Sequence, residues 1–296
     1  MAPDLSALTT AFVKFGGDIF RKNVNSMTAS GPGVLVFKNV KEPIAMVKLS
    51  AQGGPRPYRE QDDTAGNGAA FADRVLTVHQ SKWDYDVDPE KYRNTYLASR
   101  PEVPFYQYIL DQVATEYLAV INDVVAWGGI YNAAGAAAID IADGWKKYID
   151  AEILALNLVP VVTGAITAAN AVDKVELVAE SAPQWLRDKG FEIWASYSVY
   201  DKYKKHYRTL NGFNFGNGEI DRYRLDGMNG YLVPKSFLGT SQRLILSATN
   251  NFVMGTDGDR IQVAATARRN IIEVRQMMPV GFQFQDIAAL VVNDQA

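Results

Sequence analysis

Few residues of this chain are placed to do chemistry. His79 and His206 are its two histidines, and three carboxylates at alternate positions, Asp84, Asp86 and Asp88, follow the first of them. Such a run opens like a calcium loop, which also needs glycine at its sixth position and glutamate at its twelfth. Pro89 and Thr95 stand there instead, so the run reads as the charged face of a strand. His206 lies among Lys204, Lys205 and Arg208, the pattern of a solvated basic helix face. No G-x-S-x-G or H-E-x-x-H sequence accompanies either histidine. The glycine clusters Gly53-Gly54 and Gly212 to Gly218 lack the Lys-Ser or Lys-Thr of a phosphate cradle, and neither sits between a clear strand and a helix start. They read as turns. The chain has no cysteine, which removes disulfides, thiolate metal sites and cysteine nucleophiles together. The sequence thus nominates no catalytic, cofactor-binding or metal-binding residue, and no cofactor.

Composition narrows the class further. With 48% hydrophobic and 21% charged residues in 296, the chain can bury a sizeable core. A formal net charge of -3, with no long lysine or arginine run, gives no footprint for tight nucleic-acid binding. No stretch of about 18 apolar residues suggests a membrane span, and the first twenty residues lack the pattern of a secretory signal. The expectation is a protein made and used in solution, with no membrane partner. Leu5, Leu8, Phe12 and Phe15 mark a short amphipathic helix, read as a docking arm.

The elements come next. Pro104 to Trp127 predicts one long amphipathic helix, with Phe105, Ile109, Val113, Tyr117, Val120, Ile121 and Val124 as its apolar stripe. Gly128-Gly129 is expected to close it through glycine's permissive backbone angles. At 1.5 Å per residue it would span about 36 Å. Before it, Val34 to Ser50, interrupted at Glu42-Pro43, reads as one bent strand or two short ones, and Ala72 to Asp88 as the return. The polar, glycine-rich stretch between them makes a long hairpin tip, expected to lie on another subunit. After it, Gly144 to Leu156 reads as a helix carrying Trp145, Tyr148, Ile149, Ile153 and Leu156 on one face. Thr167 is the expected cap of a helix from Ala168 to Glu180, and Pro183 and Gly190 bracket a short turn. Phe191 to Ala195 reads as a buried strand, and Ser198 with Asp201 as the cap of a helix ending at Asn211-Gly212. Leu244 to Met254, Ile271 to Met277, Phe282 with Phe284, and Ile287 to Val292 read as strands of one sheet on the long helix.

This order of elements resembles the HK97-type fold of major capsid proteins from tailed bacteriophages. Two stretches carry the likeness locally. ELVAESAPQWLRDKG leading through FEIWAS into YSVYDKYKKHY is similar to that family's A-domain passage. NFVMGTDGDRIQVAATARRNIIEVRQMMPVGFQFQDIAALVV is similar to its usual ending.

The resemblance implies an α+β chain with an N-terminal arm over 1–33 and an E-loop hairpin with its return strand over 34–100. A P domain, with its spine helix, would occupy 101–132 and 255–296, and an α/β A domain 133–254. It implies self-assembly into pentamers and hexamers of an icosahedral shell enclosing double-stranded DNA. A separate scaffolding protein and a portal are the implied partners, with decoration proteins on the outside. Arg56, Arg59, Asp62 and Asp63 at the loop tip, and Asp111 and Glu116 on the spine, are the candidate inter-subunit contacts. No lysine lies between Lys48 and Lys82, which disfavours the loop-tip crosslinks some members form. An encapsulin-like nanocompartment shell and a monomeric hydrolase stand as the alternatives.

Overall fold

The long apolar pattern folds as helix α1, Phe105–Val120. It continues through one π-helical turn, Ile121–Val125, and a last turn, Ala126–Gly128. The structure is a computed structural model that describes residues 9–15, 18, 33–51, 69–89, 91, 105–212, 222–257, 260–268 and 270–295. The buried stripe of α1 is Leu110, Ala114, Tyr117, Leu118, Ile121 and Val125. It shares only Tyr117 and Ile121 with the expected stripe, and Val124 faces outward. The helix is apolar over a wide arc, and stripes one residue apart lie about 100° apart around it. Pattern alone therefore could not choose between them. The π turn places an extra residue in one turn, and it carries the buried Asn122, whose amide donates to Ser236 Oγ at 2.9 Å. Gly129 follows the helix, but glycine is needed there for a different reason than expected. Its φ of −59° suits any residue, but a Cβ there would sit 2.2 Å from the Ala142 carbonyl oxygen.

Strands β1 (Val34–Phe37) and β2 (Ile44–Ala51) are separate, broken at Glu42-Pro43. The expected single return is also two strands, β3 (Ala69–Leu76) and β4 (His79–Val87). Only β3 closes the hairpin on β2, pairing Ile44 with Leu76 through Ala51 with Ala69. The other half, β4, runs antiparallel to a long C-terminal strand. The break at Thr77-Val78 fits tightly against that strand, since a Cβ on Gly281 would lie 2.0 Å from the Thr77 carbonyl oxygen.

The remaining segments build two mixed sheets. α2 (Trp145–Leu154), α3 (Ala171–Glu180), α4 (Gln184–Lys189) and α5 (Tyr197–Asn211) surround β5 (Phe191–Ala195). Then follow β6 (Tyr223–Arg224), β7 (Gly230–Pro234), β8 (Ile245–Ser247), β9 (Phe252–Thr256), β10 (Gln262–Arg268), β11 (Ile271–Phe284) and β12 (Leu290–Val292). The first sheet runs β1-β9-β11-β10, with β4 also on β11. The second runs β12-β8-β5-β7-β6. Two expectations need correction here. Leu244 to Met254 is not one strand: it turns at residues 248–251, and β8 and β9 belong to different sheets. The C-terminal strand likewise leaves the sheet on the long helix and pairs with β8.

The second sheet is a wall with a core on each face. Trp194, Ile245, Leu290 and Val292 point into one core with α1, α2 and the first sheet. Ile193, Leu246 and Val291 point the other way, against α3, α4 and α5. This is the period-two alternation of a strand buried on both sides. A smaller cluster buries Phe12, from the helical residues 9–15, against Val87, Leu110, Ile272 and Val274. Of the expected docking arm, Leu5 and Leu8 lie outside the described residues, and Phe12 packs on α1 and the first sheet of its own chain.

Candidate inter-subunit surfaces

Of the contact residues nominated from sequence, Arg56, Arg59, Asp62 and Asp63 lie outside the described residues. Asp111 and Glu116 are on α1, Glu116 exposed and Asp111 half-buried. Five helical positions separate them by about 140°, so they do not share one face. The Glu116 carboxylate accepts from Gln112 Nε2 at 2.8 Å, and the Asp111 backbone carbonyl accepts from Thr115 Oγ1 at 2.7 Å.

The root of the β2–β3 hairpin is fixed more firmly than the sequence indicated. Arg74 reaches from β3 to Glu152 on α2 at 2.8 Å, and its guanidinium lies 4.1 Å from the Phe284 ring centroid. Burial pushes the Glu152 carboxyl up, but hydrogen bonds from Asn157 and Arg74 outweigh it and hold the group below the usual carboxylate range. On the other strand Lys48 pairs with Asp286 at 2.6 Å. The Gln283 amide donates to the Val75 carbonyl at 3.2 Å. A two-stranded hairpin is marginal alone; here each strand is tied at its base.

A second set of contacts fastens the chain end, and no periodicity in the sequence signals it. Asn293 is fully buried; its side-chain carbonyl accepts from Leu244 N at 2.8 Å and its side-chain amide donates to Thr163 Oγ1 at 3.1 Å. Asp294 accepts from the backbone of Thr163 at 3.0 Å and of Gly164 at 3.2 Å. Burial raises the Asp294 carboxyl, but hydrogen bonds from Gln295, Thr163 and Gly164 dominate and hold it at about 2. Arg243 joins this knot, donating to the Asn293 backbone carbonyl at 3.0 Å and to Asp150 at 3.2 Å.

The chemistry-bearing residues fall elsewhere and apart. Asp84 meets Arg275 at 2.5 Å across β4 and β11 and Lys82 at 3.3 Å, which makes a charged strand face. Hydrogen bonding from Arg275 holds the Asp84 carboxyl down. Among the described residues no group of three or more histidines or carboxylates could hold a metal ion. His79 stacks on Tyr131 with centroids 3.5 Å apart, and burial pushes its imidazole down against the opposing pull of Asp143. His206 is not on a solvated basic face. It is buried, and its Nδ1 accepts from the Val172 backbone N–H at 3.0 Å. The flanking lysines mark the outer arc of α5, whereas His206 falls on the inner arc with Val199, Tyr200 and Tyr203. It satisfies a first-turn amide of α3. Two expected caps also shift. Thr167 caps a turn ahead of α3, which starts at Ala171. For α5 the cap is Ser196, not Ser198.

No family model and no curated protein matches the chain. Solved structures do. The capsid of Myoviridae phage XM1 is 13% identical, covers 88% of this chain and 89% of its own, and has a TM-score of 0.54. The satellite phage P4 procapsid, solved with its size determination protein, is 14% identical, covers 92% and 98%, and scores 0.58. The holo-SrpI encapsulin complex from Synechococcus elongatus is 11% identical, covers 88% and 84%, and scores 0.51. The chain has the HK97-like capsid fold. Its α+β build, with α1, the β2–β3 hairpin and a second sheet flanked by helices, is consistent with that fold.

Proposed function

We propose that this chain is the major capsid protein of a tailed bacteriophage, a structural subunit rather than an enzyme. What carries the reading is the extent of the likeness: it runs through 88% to 92% of this chain and 89% to 98% of two phage subunits. The likeness thus spans nearly the whole of each phage subunit and not one shared module. In this reading the P domain spans 101–132 and 255–296, with α1, β10 and β11, and the A domain spans 133–254. The packing of α2 and β9 into the first core argues for counting them with the P domain. The A domain faces the centre of a pentamer or hexamer. The residue 52–68 tip, with Arg56, Arg59, Asp62 and Asp63, lies over the adjacent subunit.

Exposed ion pairs contribute little singly, so the shell's strength comes from repeated contacts and buried apolar area. A net charge of -3 suits a wall that encloses double-stranded DNA without gripping each phosphate. A scaffolding protein, a portal and decoration proteins complete the expected partners, with assembly in the host cytoplasm. The encapsulin match keeps a cargo-filled nanocompartment as the second reading. Negative-stain microscopy of the purified protein tests both: closed shells are expected, and a protein that stays monomeric under assembly conditions overturns them. Particles that retain nuclease-protected DNA in infected cells select the phage; particles filled by one protein select the compartment.

A further inference from the structure

The segment joining α2 to α3 has an unusual outer surface. Between Glu152 and Asp173 the sequence carries no charged residue. Its inward residues are accounted for: Leu158 and Ile166 are buried, and Val161 exchanges backbone hydrogen bonds with the β12 end. Its outward residues are aliphatic, with Leu154 86%, Leu156 82%, Val159 76% and Val162 77% exposed. Ala155, Ala165, Ala168 and Ala169 also face out.

Leu156 is costly to an isolated subunit in two ways. It ends α2 with φ of 59°, the left-handed position where glycine is the usual residue. There it holds a large apolar side chain in water. Conformation and solvation both favour glycine at this site, so the leucine is explained only by something that covers it.

We infer that the Leu154 to Val162 strip is an inter-subunit contact covered by a second copy of this chain. The inference rests on the shell reading above and names which surface does the joining. The four side chains present roughly 200–400 Å² of apolar area at about 25 cal/mol per Å² and full-burial energies for leucine and valine. That is comparable with the largest patch monomers expose. It is also about a quarter to a half of the ~800 Å² one partner gives a standard interface. With no charge along it, the strip offers nothing to select DNA or a charged peptide. A heterologous contact between identical subunits uses such a patch once per copy and closes into rings.

Because the chain has no cysteine, a single Val159→Cys substitution gives a clean probe. The introduced thiol is expected to react with maleimide in free subunits and to be protected about tenfold in assembled particles; equal labelling overturns the inference. Leu156→Gly gives the second readout. It is expected to raise the melting temperature of the subunit while lowering particle yield about tenfold, whereas an unchanged yield overturns the inference. Unsubstituted protein that forms no particles even in cells that carry its neighbouring assembly genes overturns the shell reading itself. Particles of the Val159→Cys variant whose thiol stays freely reactive overturn only the strip.

Discussion

The two cores on either side of the second sheet are built differently. The first is aromatic and assembled from distant segments. Trp145 on α2 has Trp194, Phe237, Phe252 and Phe282 within 5.1 to 6.1 Å between ring centroids. Its indole N–H donates to the Gln283 carbonyl at 3.0 Å. The second core is largely aliphatic and local. Val172, Val175, Val178, Leu186, Ile193, Val199, Leu232 and Leu246 all come from residues 166–246, with Tyr200, Tyr203 and Tyr223 buried among them. The difference teaches that one wall can join a long-range core to a nearly self-sufficient one.

The largest break in this comparison should come from Trp145→Ala, expected to cost about 3–5 kcal/mol. Urea titration should show it destabilising the first core and, through β5, the second. Leu186→Ala should cost about 2–4 kcal/mol. Hydrogen exchange is expected to show its loss of protection concentrated in α3 to α5, and uniform loss across both cores would contradict the local character of the second. Arg74→Ala removes a half-buried ion pair and should cost about 1–2 kcal/mol. Its effect should appear as faster exchange in β2 and β3, with little change in the second core.

The smallest effect concerns acid. Asp294 is held at about 2 in the folded chain against about 3.9 when unfolded. A depressed carboxyl contributes stability that is present above about pH 4 and lost as pH falls from there towards about 2. Asp294→Asn should flatten that part of the melting-temperature profile, and an unchanged acid limb would show that the knot at Thr163 and Gly164 is not coupled to it.

Much of the fold was legible where local rules and tertiary packing agree. Pro183 and Gly190 bracket α4, Gly212 with φ of 72° ends α5, and Phe191–Ala195 is a strand, all as the sequence indicates. Most of the misses share a cause, which is information held in the partner rather than the segment. The face of α1 is set by what packs on it, since Ile109 and Leu110 are equally apolar. His206 is inward because Val172 needs an acceptor there. β8 and β9 read as one strand because both are apolar on each side; the Asn250-Asn251 turn between them, with Asn250 at φ of 64°, is the local signal of the break, but it does not say that they pair in different sheets. Of the proposed contact surface, the charged residues are visible in the sequence as charges, while the exposure of the strip at Leu154 to Val162 is not. Periodicity puts Leu156 on a buried helix face, and only its left-handed backbone and exposure reveal otherwise.

The shared wall also orders events in time. Residues 166–246 supply the buried members of the second core, with Val291 of β12 adding only a partly buried contact, so most of it can close while the ribosome is still making β9 to β11. The first core needs Phe282, Phe284, Leu290 and Val292, and therefore waits for the last strand. Domains generally fold as their residues emerge. A nascent chain would thus carry one finished half and one open half, and the spine would gain its support only when synthesis reaches β12. On the shell reading proposed above, this delay would keep incomplete chains from joining a growing particle.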